Sequence, residues 1–155
     1  MESALRILHV VESMNQSEVG TMLMNVYRNL DRSKVQFDFL TNEEGDYDQE
    51  IQQLGGLIYR IPSIKEAGIK SLRQFFKGHR FYIVMHSHID QMSIYPLRAA
   101  KRTGIPVRVA HSHRTKGNAT GTVKMLDEIA SSLIPLCATH FFASSPEPAE
   151  WLFKK

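Results

Sequence analysis

The sequence predicts an α/β domain, a Rossmann-like, doubly wound and mostly parallel six-stranded sheet with helices on both faces. Three observations carry this. Short apolar runs recur along the chain, and each is followed by a segment whose apolar residues return at helical spacing. Connections long enough to hold a helix imply right-handed crossovers between parallel strands. Finally, 155 residues without a low-complexity stretch or linker read as a single domain over 1–155.

Taken in order, Arg6 to Val11 (RILHVV) has the pattern of a short buried strand. Val19, Met22, Leu23, Val26 and Leu30 fall on one helical face, giving a helix over about 19–30. Val35, Phe37 and Phe39 alternate with polar residues as a second strand. Residues 46–54 read as a short helix, with Asp46 as N-cap and Gly55-Gly56 at its end. Leu57 to Ile61 is a third strand stopped by Pro62, and a basic amphipathic helix over 65–78 follows, weakened early by Gly68. Phe81 to Met85 is the fourth strand, Gln91 to Thr103 a helix closed by Gly104, and Val107 to Ala110 the fifth strand. A polar loop with Gly117 and Gly121 leads to a helix over 122–134. Thr139 to Ala143 is the sixth strand, and Pro146 opens a last helix carrying Trp151.

Composition narrows the function. Cys137 is alone, so no intramolecular disulfide forms, which suits a reducing cytoplasm. No apolar run approaches the roughly 20 residues of a membrane span, and MESALRILHVVES lacks the build of a signal peptide. Basic residues gather mid-chain, at Lys65, Lys70, Arg73, Lys77 and Arg80 and again from Arg98 to Lys116. Solvated helix faces account for them. No nucleic-acid-binding motif accompanies them, so nucleic acid is not expected as a partner.

Two segments, YIVMHSHID and VRVAHSHRT, each carry His-Ser-His where a strand gives way to a loop. Ligands of open parallel sheets bind outside the carboxyl ends of the strands. The triplets, the segment from His9 to Asn15, and Ser144-Ser145 all fall at that rim. In an extended segment His-x-His puts both rings on one face, and two such pairs offer four nitrogens to a metal. However, only Asp90 could support the first pair, and no carboxylate adjoins the second, so no metal is expected. A metal-dependent hydrolase stays as an alternative. His9 reads as a core histidine and His86 as one bonded to a neighbouring carbonyl, while His79 and His140 have no motif around them. His88 and His113, one step past the strands, are the expected cleft residues.

RILHVVESMN, TMLMNVYRNLDRSKVQFDFL, EEGDYDQEIQQLGGLIYRIP, YIVMHSHID and GIPVRVAHSHRT, in that order, resemble the N-terminal domain of bacterial family-4 retaining glycosyltransferases of the polysaccharide-biosynthesis type. The resemblance implies one half of a GT-B fold, whose N-terminal domain mainly binds the acceptor while a C-terminal domain binds the nucleotide sugar. It implies transfer from a nucleoside-diphosphate sugar to a glycan or lipid-linked acceptor, with no separate cofactor. His113 takes the position of a catalytic histidine beside the reacting sugar. His88 and Asp90 take acceptor-contacting positions, and Asn15, Arg114 and Thr115 are expected with them. Met14 to Thr21 corresponds to a glycine-rich turn that approaches the donor diphosphate through a helix N-terminus. There the sequence departs from the family. Two adjacent glycines followed by Ala-Glu are replaced by Ser17-Glu18-Val19-Gly20, so Glu18 brings negative charge toward a phosphate position and the loop is degenerate.

The nucleotide-sugar domain that the resemblance implies is not part of these 155 residues, so the chain alone is expected to be catalytically silent. A second reading is a stand-alone sugar- or nucleotide-binding or regulatory module. The expected location is cytoplasmic. A peripheral place at the inner membrane face would use Phe75 and Phe76 beside Lys70, Arg73, Lys77 and Arg80, although helix packing gives the two phenylalanines a core role instead.

Overall fold

A computed structural model describes residues 2–114 and 120–153. The elements run β1 (Leu5–Val10), α1 (Glu18–Asn29), β2 (Val35–Thr41), α2 (Asp48–Gln53), β3 (Ile58–Arg60), α3 (Ile64–Ala67), α4 (Lys70–Gly78), β4 (Val84–Ser87), a 3-10 turn (Asp90–Ser93), α5 (Ile94–Thr103), β5 (Val107–Ser112), α6 (Gly121–Cys137), β6 (His140–Ala143) and α7 (Pro146–Phe153). The six strands are all parallel, in the order β3-β2-β1-β4-β5-β6. The predicted architecture is therefore the one observed.

Right-handed crossovers turn this order into two layers. The chain steps from β1 to β2 to β3 in one direction, then returns past β1 to lay down β4, β5 and β6 in the other. One face packs Leu23, Met24 and Tyr27 of α1 and Ile51 of α2 against Phe37 and Phe39. The opposite face packs α4 to α7 over Leu8, Val10, Leu40, Met85 and Ala110. α6 sends Ile134 and Cys137 inward, while Leu126, Ile129, Leu133 and Leu136 on its outer side are exposed. Among the described residues no helix is long and apolar enough to cross a membrane.

Several boundaries move, each for a local reason. Asp46 does not cap α2. Its backbone N–H donates to Asn15 Oδ1 at 3.0 Å and its carboxylate accepts from Gln16 N at 3.1 Å, which ties the post-β1 loop to the post-β2 loop. The 65–78 helix is two helices, because Gly68 adopts φ +63° after a Ser63/Glu66 capping box has started the first. Phe75 and Phe76 are buried, so the face that α4 turns to solvent is basic rather than apolar. β4 starts at Val84, three residues later than expected, since Tyr82 turns inward to hydrogen-bond Asp38. The first two residues of each His-Ser-His lie within the strands, which leaves only His88 and His113 beyond them. Of the predicted polar loop, Gly117 lies outside the described residues.

The alternation in β2 hides a more demanding site. A strand beside β1 is covered on both faces, so its polar residues are buried too: Asp38 is 0% exposed. Arg6 clasps that carboxylate with Nε at 2.7 Å and Nη2 at 2.5 Å, Tyr82 Oη donates at 2.5 Å, and Leu57 N donates at 2.8 Å. Burial and the Asp38 bond push the Tyr82 hydroxyl well above its usual range. Stripping one partner from such a set leaves a buried ion alone. Arg6→Ala, which leaves the Asp38 carboxylate buried without its countercharge, is expected to lower unfolding stability by about 3–5 kcal/mol in urea titration, while Asp31→Ala, on the exposed α1–β2 turn, changes the midpoint little.

Candidate functional site: a histidine-floored cavity at the carboxyl edge

The site begins with register. β1 pairs with β4 so that His9 lies opposite His86, and β4 pairs with β5 so that His86 lies opposite Val109. Side chains alternate across a strand, so His9, His86, His88, His111 and His113 all project from the same face. Each ring then meets the one that lies one strand over and two residues on. His9 Nδ1 is 3.0 Å from His88 Nε2, His88 Nδ1 is 2.9 Å from His113 Nε2, and His86 Nε2 is 2.9 Å from His111 Nδ1. Along each strand the rings stack, His86 on His88 with centroids 4.1 Å apart and His111 on His113 at 4.0 Å.

Burial sets their charge. Desolvation disfavours imidazolium, and neighbouring rings add repulsion. His9 is pushed down to about 3 and His111 to about 4, chiefly by burial, and His88 falls well below its ordinary value for the same reason. His113 is lowered by burial too, but the Asp90 and Glu18 carboxylates pull it partly back. The five rings are neutral at physiological pH.

Above this floor lies a cavity of about 370 Å³. It brings together Asn15, Ser17 and Glu18 from the loop after β1, His88 and Asp90 after β4, and His113 and Arg114 after β5. Those are the predicted site residues apart from Gly20 and Thr115. Thr115 lies outside the described residues. Gly20 sits one layer below, where a Cβ would come within 2.0 Å of the Asn15 carbonyl oxygen. Ser17 caps α1 through Oγ, which accepts from Gly20 N at 3.1 Å. Glu18 occupies the first turn, where its charge answers the helix N-terminus that an anionic ligand would otherwise use.

Two of the cavity's residues, His88 and Asp90, also have partners within the fold. His88 is only 4% exposed and lies beneath His113, with both ring nitrogens engaged by other histidines. Asp90 holds φ +50°, which Asp tolerates better than most residues. Its Oδ1 accepts the His113 backbone N–H at 2.9 Å and its Oδ2 is 3.6 Å from Arg114 Nε, so it fixes the end of β5. Ser144 bonds back to the Ser112 carbonyl, and neither Ser144 nor Ser145 lines the cavity. His9 and His86 bond other imidazoles instead of carbonyls. The sequence offered one signal for this network, the two-residue spacing within each His-Ser-His, but not the register that joins the strands.

A second cavity of about 490 Å³ adjoins the first across Val11, Glu12, Ile89 and Met92. Its walls are largely apolar, with Glu43 and Asp127 among the lining residues.

Comparison with known proteins agrees with this geometry. No family model matches the chain. It is 42% identical over 119 residues to a Bacillus subtilis (strain 168) protein named "Putative glycosyltransferase EpsF", an alignment covering 73% of this chain and 31% of that protein. Its fold superposes on the crystal structure of Acinetobacter baumannii MurG with a TM-score of 0.58 at 12% identity, covering 92% of this chain and 42% of MurG. The chain thus spans under half the length of either protein. The chain resembles in sequence part of a protein named as a glycosyltransferase, and in fold one part of MurG.

Neutral buried histidines make stability depend on pH. Their folded values lie below the ordinary 6.5, so the unfolded chain binds more protons across the interval between. Stability is therefore complete above about pH 7 and falls as pH drops through 6.5 toward 4. Urea midpoints measured from pH 7.5 to 4.5 should decline throughout that window, and His9→Phe should flatten the slope. A level wild-type profile between pH 7 and 5 would contradict the burial.

Proposed function

We propose that this chain is the N-terminal, acceptor-side half of a retaining glycosyltransferase. The complete enzyme would move a sugar from a nucleoside diphosphate to a glycan or lipid-linked acceptor. The observation that carries the reading is the convergence of three post-strand loops, with His113, Arg114, Asn15 and Ser17 around one carboxyl-edge cavity. A neutral imidazole at His113 can hydrogen-bond a sugar hydroxyl or the leaving phosphate. Arg114, with its side chain 73% exposed, remains free enough to meet an anionic group. Glu18 repels phosphate from the α1 terminus, so the diphosphate is gripped mainly by a facing domain. The adjoining apolar cavity suits an uncharged part of the acceptor, because Glu12, Glu43 and Asp127 disfavour an anion there. Contact with an anionic membrane would rest on the charges of α4 alone.

One wall of a cleft holds a substrate but does not align two. The chain by itself is therefore expected to show no transfer with any nucleotide sugar. Fused to the C-terminal part of the B. subtilis relative, it should support transfer, and His113→Ala in that fusion should lower kcat by roughly 10²–10³-fold. Turnover by the isolated chain, or an undiminished rate in the His113→Ala fusion, would overturn the reading. Tight nucleotide or sugar binding by a chain that never supports transfer would favour a stand-alone binding module instead.

The metal-dependent hydrolase reading is weaker on geometric grounds. Two groups, His9-His86-His88 and His88-His111-His113, bring ligand atoms within 4.8 Å of one another. Each contains a stacked pair with planes 23° and 19° apart. Imidazole lone pairs lie in the ring plane, so stacked rings about 4 Å apart do not both point at one ion held at about 2.1 Å. A stoichiometric, tightly held metal in untagged protein would reverse this judgement.

A further inference from the structure

We infer that His9, His88 and His113 form a single hydrogen-bonded imidazole wire whose polarity fixes His113 as a hydrogen-bond donor, through Nδ1–H, to whatever occupies the cavity. The inference rests on the proposed site only in taking that cavity as the ligand side. The wire itself is a property of the folded chain.

The argument is one of proton counting. A neutral imidazole has one N–H and one lone pair. Two links join the rings in series: His9 Nδ1 to His88 Nε2, and His88 Nδ1 to His113 Nε2. Both links can be hydrogen bonds at once in only two ways. In the outward arrangement every ring is protonated at Nδ1. His9 donates to His88, His88 donates to His113, and His113 Nδ1–H points away from the chain of rings. In the inward arrangement every ring is protonated at Nε2, and the final N–H belongs to His9. Any mixed arrangement sets two lone pairs or two protons against each other across 3 Å.

The inner end decides between them. His9 Nε2 is buried, without a hydrogen-bond partner among the described residues. Its ring sits against Phe37 at 4.1 Å and Phe39 at 5.6 Å between centroids. The inward arrangement strands an N–H there, which contact with an aromatic face compensates only in part. The outward arrangement leaves a lone pair instead, and orphaned buried N–H groups are the rarer of the two in proteins. At the outer end His113 lines the cavity, and its Nδ1 makes no hydrogen bond to a described residue.

The chemical meaning is specific. With Nδ1 already protonated, His113 has no lone pair facing the cavity, so it does not act there as a base. It donates to a sugar hydroxyl oxygen or a phosphate oxygen. His88, whose two ring nitrogens are both engaged by other histidines, and His9 are positioning residues that hold this tautomer.

Histidine in water favours the Nε2–H form, so three successive Nδ1–H rings are a distinctive signature. The test is two-bond proton–nitrogen correlation NMR on the 15N-histidine-labelled chain near pH 7.5. The expected result is the Nδ1–H pattern for His9, His88 and His113 together. His113 as Nε2–H in the wild-type spectrum overturns the inference, without bearing on whether the site belongs to a glycosyltransferase. Cutting the wire with His88→Leu should shift His113 back toward Nε2–H. A folded His88→Leu protein in which His113 stays Nδ1–H also overturns it. Should that variant not fold, the wild-type spectrum still decides.

Discussion

At the carboxyl ends of β1 and β4 the polypeptide leaves neighbouring strands in opposite directions. The loop after β1 runs toward β2, the one after β4 toward β5, and a crevice opens between them. Every feature of the site depends on this reversal. The crevice takes its walls from the loop after β1 on one side and Asp90 on the other. Its floor comes from strands that are adjacent only because the chain returned past β1 to add β4. Had the chain continued beyond β3, His9 would have had no histidine strand beside it.

The floor is unusual for being polar and yet largely buried. Imidazoles normally meet water, carboxylates or carbonyls, whereas here they satisfy one another across three strands. The arrangement is tolerable because an uncharged ring carries both a donor and an acceptor, so a row of rings can close its hydrogen bonds without any net charge. A carboxylate series could not do this. The Asp38 site achieves burial by a different route, with a full countercharge and two further donors about one ion. The two solutions sit on opposite faces of the same sheet.

Much of the fold was legible in the residues, because apolar runs, helical periodicity and stop signals such as Gly104 act locally. What escaped was non-local. The polar positions of β2 alternate as they would in a half-exposed strand, and it is the approach of Arg6, Tyr82 and Leu57 to Asp38, and of Tyr27 and Leu54 to Gln36, that makes them interior. Likewise His86 and His111 looked incidental, since nothing in YIVMHSHID states which residue of VRVAHSHRT will face it. Pairing register comes from packing along the whole sheet. The site was readable as a set of residues, because position after a parallel strand is enough to place a side chain at the rim. How deeply each of these residues is buried was not readable, and His88 is only 4% exposed.

The loop after β1 is closed by Gly20, whose α-carbon lies directly under the Asn15 carbonyl. No rotamer relieves a clash with main chain, so even the smallest side chain would have to lift the Asn15 peptide. The same residue moors the Asp46 backbone, through its side-chain Oδ1. A single methyl group in the first turn of α1 would thus be felt in the loop after β2, which shares no sequence with the loop after β1.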